Sequence, residues 1–425
     1  LAAKKKLISV DELAVGMYVD IQLGWSQHPF LFRRLTIKHA HEIQTIKGLG
    51  LTEVILFPDK STKESLEASK EAKALEEFEE ATAQPSEEEL WQEKQEALKK
   101  ADNFRINRKK VAQAYREKQK RVKNLTNDLK QSPANAIRDA GEVINDMLEG
   151  FDDDSDVLIN LVSLSSDDHS HHCHSLNVTV LSLTIGHALK FPKDQLKLLG
   201  LSAMLHDIGK AAIPQAIMLK KGKKTSSELK LLQSHTTVGA RIAESLPDVE
   251  EEVVHVIRHH HEFLDGSGFP NQLKGDQISK ICRIVAIANI YDNLCNTADP
   301  NDAVIPKLAM AILFKKYKDQ LDTELVQHFI KTFGVYPPGT VVQLNDESIA
   351  LVISVDPSTI LKPKVLIYNP DIPANQALMV SLADHEELKV EKVLKPHECP
   401  PRVYEYLGIQ ENMGFYLEAI KRQNG

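Results

Sequence analysis

Cysteine is scarce in this sequence. Cys173, Cys282, Cys295 and Cys399 are the only four in 425 residues, and no C-x-x-C pair occurs. They do not read as a disulfide framework. No apolar run is long enough to span a bilayer. The first residues, Leu1-Ala-Ala-Lys-Lys-Lys-Leu, are basic but lead into Ile8-Ser-Val-Asp-Glu rather than into an apolar signal core. An excess of positive charge is missing too: 52 Lys and Arg against 60 Asp and Glu leave a net charge of -8. That balance offers no whole-chain attraction for nucleic acid or an anionic membrane. An anionic substrate would need a local positive centre, a metal ion or a few placed lysines. The expectation is a soluble cytoplasmic protein with no nucleic-acid partner and no membrane span.

The length allows two or three domains, and a chain 42% hydrophobic and 26% charged is ordinary for a globular protein. Residues 1–60 read as a small α+β module. Met17-Tyr-Val-Asp-Ile-Gln-Leu alternates like a strand, Val54-Ile-Leu-Phe is a second short run, and His39 to Gly50 between them has helical spacing and a glycine stop. Residues 61–131 are rich in Glu, Lys, Ala and Gln, with Pro85-Ser86 before Glu87-Glu-Glu as a fresh helix start. They read as a charged helical linker. From 132 to 333 the chain reads as helical almost throughout: Val178 to Gly186, Leu196 to Leu205, Val253 to Arg258 and Ile281 to Ile290 are largely apolar, as in the middle of an all-α bundle. Residues 334–425 read as a β-rich module. Thr340-Val-Val-Gln-Leu, Ile349 to Val355 and Pro363-Lys-Val-Leu-Ile-Tyr are short strands between turn residues, and Arg402 to Gln423 reads as terminal short helices. No internal repeat is present.

The expected bundle carries polar residues where a bundle should be apolar: His174, His206-Asp207, His235 and His260-His261. Imidazoles and a carboxylate are what divalent Fe, Mn, Ni or Zn accept. An adjacent His-Asp pair at a helix end can serve two metals, and two metals can bind a phosphodiester and activate a bridging water. A single histidine in a helix is more often a satisfied core or surface residue. Leu201-Ser-Ala-Met-Leu-His-Asp-Ile-Gly-Lys is harder to read as plain core, because an unpaired buried carboxylate costs several kcal/mol. Lys210, one turn past the pair, can face the same cavity and meet a phosphate. Equally, it can be an exposed helix-end lysine favoured by the macrodipole. His259 to Pro270 reads as a helix entering a tight loop whose glycines let backbone approach a ligand, or as an ordinary cap and turn.

His206-Asp-Ile-Gly-Lys210, His235, His260-His-Glu262 and Asp265-Gly-Ser-Gly-Phe-Pro270 together resemble the HD-GYP subgroup of HD-domain phosphohydrolases, over roughly residues 165 to 300. Leu13-x-x-Gly-Met-Tyr-Val and His28-Pro-Phe resemble the module of unknown function that often precedes HD-GYP domains in bacteria. The resemblance implies an HD-type helical core and a cyclic di-GMP phosphodiesterase with two divalent transition-metal ions, releasing pGpG or GMP by attack of a metal-bridging water. Carried over by position, the metal ligands are His174, His206, Asp207, His235, His260, His261 and Asn289. The catalytic residues are His206, Asp207 and Lys210. The substrate is held by Lys210, Asp265, Gly266, Gly268, Phe269, Pro270 and Asp292. A protein partner on the Gly-Phe-Pro loop or on the flanking modules, and a homodimer, are further expectations of this architecture.

The sequence departs from the family pattern in four places. Phe269 replaces the tyrosine of Gly-Tyr-Pro, which keeps the ring and drops a hydroxyl. Asn289 stands where the family has a ligating Asp, so a charge is lost there, and Asp292 one turn on is a candidate substitute. The Arg and Lys that usually follow this helix are missing from Cys295 to Asn301. Ser170 stands where three-metal members have Glu, which favours two metals. These departures keep two alternatives open: a degenerate member that binds cyclic di-GMP or a partner without hydrolysis, and an HD phosphohydrolase for another nucleotide.

Overall fold

The computed structural model describes residues 5–30, 32–68, 87–128, 132–149, 155–164, 171–218, 220, 222–246, 248–296, 304–356, 358–385, 388–394, 398–408 and 412–421, with residues 155–164 and 412–421 by their backbone only. The N-terminal residues form a four-stranded sheet from β1 (Lys6–Ser9), β2 (Tyr18–Asp20), β3 (Arg34–Thr36) and β4 (Glu53–Leu56), in the order β1-β4-β2-β3, with helix α1 (Ala40–Gly48) packed on it. Ile8, Val19, Ile37, Ile46, Val54 and Leu56 close its core. Two of these strands and the helix are the ones the alternation and the glycine stop predict.

After the short α2 (Lys63–Ala68) comes α3 (Glu87–Asp128), 42 residues long and therefore about 63 Å from end to end. Part of the expected linker, residues 69–86 and 129–131, lies outside the described residues. This helix touches three bodies in turn. Leu90 packs against the N-terminal core and Lys94 donates to the Trp25 and His28 carbonyls. Leu98 packs against the C-terminal sheet, and Tyr115, Val122 and Leu125 are part of the helical core.

That core is built from α4 (Pro133–Leu148), α5 (His171–Ala188), α6 (Lys193–Leu205), α7 (Gln215–Met218), α8 (Ser226–Gln233), α9 (His235–Glu244), α10 (Glu251–His259), α11 (Lys280–Cys295), α12 (Pro306–Lys315) and α13 (Thr323–Phe333). The four apolar stretches read from the sequence lie in α5, α6, α10 and α11. Helix α5 is buried on nearly all faces from Leu176 to Ile185. It tolerates Thr179 and Thr184 there because their hydroxyls donate to the carbonyls of Ser175 and Val180, four residues back, at 2.7 and 2.8 Å.

The C-terminal sheet holds β6 (Val341–Leu344), β7 (Ile349–Ser354), β8 (Lys364–Ile367), β9 (Met379–Ser381) and β10 (Val390–Val393), all antiparallel, in the order β10-β6-β7-β8-β9. Strand β7 is covered on both faces. Ala350 and Val352 face a cluster that includes Trp25, while Leu351 and Ile353 face Val403 and Leu407 of α14 (Pro401–Leu407). The sheet also meets the N-terminal module through Arg34, which bonds Asp20 and Glu347, and through Lys60, which donates to the Asn345 carbonyl at 2.6 Å.

Two sequence readings are corrected. The stretch read as helical almost throughout contains a strand, β5 (Ser155–Leu164), and the stretch read as terminal short helices continues after α14 into β11 (Asn412–Lys421). The two pair antiparallel over ten residues, from Ser155 opposite Lys421 to Leu164 opposite Asn412. Among the described residues no helix is long and apolar enough to cross a membrane.

Candidate metal centre and active site

The polar residues of the constellation converge because they lie at helix ends and first turns that face one another inside the bundle. In α10, Val253, Val256 and Ile257 are buried at helical spacing, and His260 continues that stripe one turn on. His206 caps the C-terminus of α6, and Asp207 opens the 3-10 turn Ile208–Ala212. His235 is the first residue of α9. His174 sits in the first turn of α5.

The imidazoles are oriented by their outer nitrogens. The Nδ1 atoms of His206, His235 and His260 lie 2.7, 2.6 and 2.9 Å from the carbonyls of Ala203, Leu232 and Ile257. A carbonyl only accepts, so each Nδ1 carries the proton and each Nε2 presents a lone pair. His174 reaches the same state through a carboxylate: its Nδ1 is 2.7 Å from Asp292 Oδ2.

These lone pairs meet in two groups around Asp207. His174 and His206 have Nε2 atoms 3.3 Å apart, and Asp207 Oδ2 is 3.5 and 3.3 Å from them. His235 and His260 have Nε2 atoms 3.4 Å apart, with Asp207 Oδ1 at 3.3 and 3.8 Å; His261 completes this second group. Two nitrogen lone pairs face to face repel unless a proton or cation lies between them. Donors about 2.1 Å from a shared ion at a near-tetrahedral angle stand about 3.4 Å apart. Among the described residues, Asp207 Oδ1 is itself buried with no hydrogen-bond donor, a costly state that a cation would relieve. The donor set, imidazole and carboxylate, suits divalent transition metals. Both groups could therefore hold a metal ion, with Asp207 shared between them.

The electrostatics agree. Burial by itself would raise the Asp207 carboxyl, but the Lys210 ammonium beside it holds it well below the usual carboxylate range. Burial pushes His235 down and His260 far down, and it carries His261 to about 3, with His235 adding to the effect. Neutral imidazoles beside an ionised carboxylate are the forms that bind metal.

The other expected residues are placed as follows. Lys210 forms an ion pair with Asp207, is partly exposed, and stands beside both groups. Asn289 is buried, and its side-chain carbonyl accepts from Asn293 at 2.6 Å. Asp292, expected at the substrate, is instead enclosed: Oδ2 faces His174, and Oδ1 accepts from Asn177 at 2.9 Å and Asn296 at 2.8 Å. Phe269 stacks on His261, with ring centroids 4.6 Å apart and planes at 21°, and the Phe269–Pro270 peptide is cis. Asp265 is exposed and accepts from Ser267 N and Oγ at 2.9 and 2.6 Å, and Gly266 turns with φ +81°. Gly268 is required by space, since a Cβ there would lie 2.5 Å from the backbone of His261, Glu262 and Phe263. Ser170 and most of the segment after Cys295 lie outside the described residues.

One residue was quoted in the sequence without a role. Glu262 is buried, and its two oxygens accept the backbone N–H groups of Asn271 and Leu273 at 2.6 and 3.1 Å, which ties the loop down beside His261. Its signal was present, a carboxylate directly after two expected ligands, but the acceptor role depends on amides nine and eleven residues downstream.

Residues 156–325 match the HD domain family, and residues 5–140 match the domain of unknown function DUF3391. A cyclic di-GMP phosphodiesterase of Pseudomonas aeruginosa is 28% identical over 367 residues, 85% of this chain and 85% of its own. A 3'3'-cGAMP-specific phosphodiesterase of Vibrio cholerae is 29% identical over 197 residues, 44% of this chain and 37% of its own. Among solved structures, an HDG"Y"P protein from Bdellovibrio bacteriovorus aligns with 77% of this chain and 98% of its own, at 16% identity and a TM-score of 0.37. By the two family matches, residues 156–325 carry an HD domain and residues 5–140 a DUF3391 module, in a chain similar over most of its length to a cyclic di-GMP phosphodiesterase.

Proposed function

We propose that this chain is a two-metal phosphodiesterase that hydrolyses cyclic di-GMP to pGpG or GMP. The observation that carries the reading is Asp207, whose two oxygens each face a separate pair of Nε2 lone pairs, with no donor to Oδ1 among the described residues. His174, His206 and Asp207 would hold one cation, and Asp207, His235, His260 and His261 the other. The cations, when bound, would neutralise charge on a phosphodiester and acidify a water near neutral pH.

The protein's own residues do the rest. Asp207 stays ionised, and the carbonyl bonds keep three imidazoles in the Nδ1–H tautomer. Lys210 can leave part of its pairing with Asp207 to meet a non-bridging phosphate oxygen, as a point charge does. The Phe269 ring on His261 and the loop tied by Glu262 form a wall on which a base can rest, next to Asp265, Gly266, Gly268 and Pro270. Water adds across a P–O3′ bond, leaving a 5′-phosphate and a free 3′-hydroxyl. The cyclic di-GMP relative that spans most of both chains supports the choice of substrate.

The test is metal-loaded protein with cyclic di-GMP, its products separated by chromatography. Turnover to pGpG or GMP is expected, and His206→Ala with Asp207→Ala should remove it. Undiminished turnover by that double variant would refute the reading. A second reading, a non-hydrolytic receptor, has one observation in its favour: uncharged Asn289 already accepts from Asn293. Tight binding of cyclic di-GMP without product, across Mn, Fe, Ni and Zn, would establish it in place of the first. Cleavage of 3′,3′-cGAMP in preference to cyclic di-GMP would move the substrate to another cyclic dinucleotide.

A further inference from the structure

Of the four centre imidazoles whose Nδ1 partner is seen, three are anchored by a carbonyl three residues back in the chain. His174 is the exception, because its partner, Asp292, belongs to α11. Asp292 is held in turn by Asn177 of α5 at 2.9 Å, and Asn177 Oδ1 is 3.0 Å from the hydroxyl of Tyr115, on α3. Tyr115 is 0% and Asn177 1% exposed, so bulk water does not interrupt this run. Its polarity is fixed at both ends. A carboxylate only accepts, so Asn177 must turn its amide nitrogen to Asp292 and its oxygen to the phenol, and Tyr115 must donate. The donors of Tyr115 and Asn177 both point toward Asp292, which accepts the His174 Nδ1–H on its other oxygen.

We propose that Tyr115 is a positioning residue for the His174–His206–Asp207 metal position, acting through Asn177 and Asp292. Through it, the placement of helix α3 sets the orientation and basicity of His174. The inference rests on the metal-binding part of the reading above and on no assumption about substrate. Its consequence is specific to one position. The far end of α3 is seated against the N-terminal module by Lys94 and Leu90. A shift of that helix would reach His174, and the His235–His260–His261 position would not feel it. A second contact between the same helices, from Gln119 Nε2 to Cys173 Sγ at 2.8 Å, holds the two in register next to the run.

The experiment uses the full chain and cobalt(II), whose visible absorption reports coordination. Tyr115→Phe deletes only the hydroxyl and keeps the buried ring. It is placed in two backgrounds, His235→Ala, which leaves the His174 position as the stronger site, and His174→Ala, which leaves the other. In the first background cobalt affinity should fall about 3- to 10-fold, less than the roughly 10- to 100-fold typical of losing a direct partner of a ligand. In the second it should not change. Adding Asn177→Ala to Tyr115→Phe should cost no more than Asn177→Ala alone. Unchanged affinity in the first background, or an equal fall in both with a matching fall in the unfolding temperature, would overturn the proposal. If the wild-type chain takes up no cobalt, the metal centre itself is refuted, and the proposal with it.

Discussion

Replacing Gly209 by alanine tests whether the His206-Asp207 turn and helix α9 must touch. Gly209 lies in the 3-10 turn just after Asp207, directly against the start of α9. An added Cβ would sit inside the van der Waals surface of the His235 carbonyl oxygen, 2.6 Å from Gly239 N and 2.9 Å from Gly239 Cα. These are backbone atoms, so no rotamer relieves them. Restoring an ordinary contact of 3.4 Å to Gly239 N alone needs a separation of about 0.8 Å. Because His235 heads α9 and Asp207 heads the turn, that movement opens the 3.3 Å spacing between His235 Nε2 and Asp207 Oδ1. Overpacking of this kind costs about 1–3 kcal/mol of stability. A displacement near 1 Å in a catalytic constellation costs about 10²-fold in rate. Gly209→Ala should therefore stay folded, with a lower unfolding midpoint, weakened metal binding at the His235 position, and cyclic di-GMP turnover reduced by about two orders of magnitude. Metal content, thermal unfolding and product formation measure these separately. A folded variant with full metal content and wild-type turnover would refute the claim that this contact sets the site.

Glu262→Gln should loosen the Gly-Phe-Pro loop, because an amide cannot accept both the Asn271 and Leu273 N–H groups as the carboxylate does. The expected cost is about 1–3 kcal/mol, with KM raised more than kcat; an unchanged KM would count against it. His174→Ala and His235→Ala should each lower the bound metal by one ion per chain, as measured by elemental analysis, and loss of both ions from either variant would argue against two separable positions. Acid should destabilise the metal-free protein. His235, His260 and His261 have folded pKa values below their ordinary one, so the unfolded chain binds more protons as pH falls. Their contribution is complete above about pH 6.5 and is lost progressively toward the value near 3 of His261. The depressed Asp207 carboxyl adds a loss in the same direction below about pH 4. Urea midpoints of the metal-free protein should fall from pH 7 to pH 5, and a flat profile would contradict the buried neutral imidazoles.

Much of this site could be read in the primary structure because its chemistry violates local pattern. His206-Asp207 interrupts an apolar helix and His260 occupies an apolar stripe, so each was conspicuous against its neighbours. Asp292 was conspicuous for the same reason, yet the direction its carboxylate takes was not legible. Its partners, His174, Asn177 and Asn296, come from two helices, and only packing showed which way the carboxylate turns. The paired strands β5 and β11 were missed for a different reason. Val157, Leu158, Ile159, Leu161 and Val162 are apolar on both phases of a two-residue alternation, so the period does not separate strand from helix. Leu417, Glu418, Ala419 and Lys421 favour helix intrinsically, and a ladder to residues more than 240 positions earlier overrides that preference.

The amino-acid sequence alone determined the helical core, the small sheets at either end, and the residue types able to coordinate metal, because burial period and polar intrusion are local properties of a chain. Tertiary structure decided how those groups are shared. It set the two oxygens of Asp207 toward two imidazole pairs and linked Tyr115 to His174 through Asn177 and Asp292. These are distances between helices far apart in sequence, and they exist only once the core has packed.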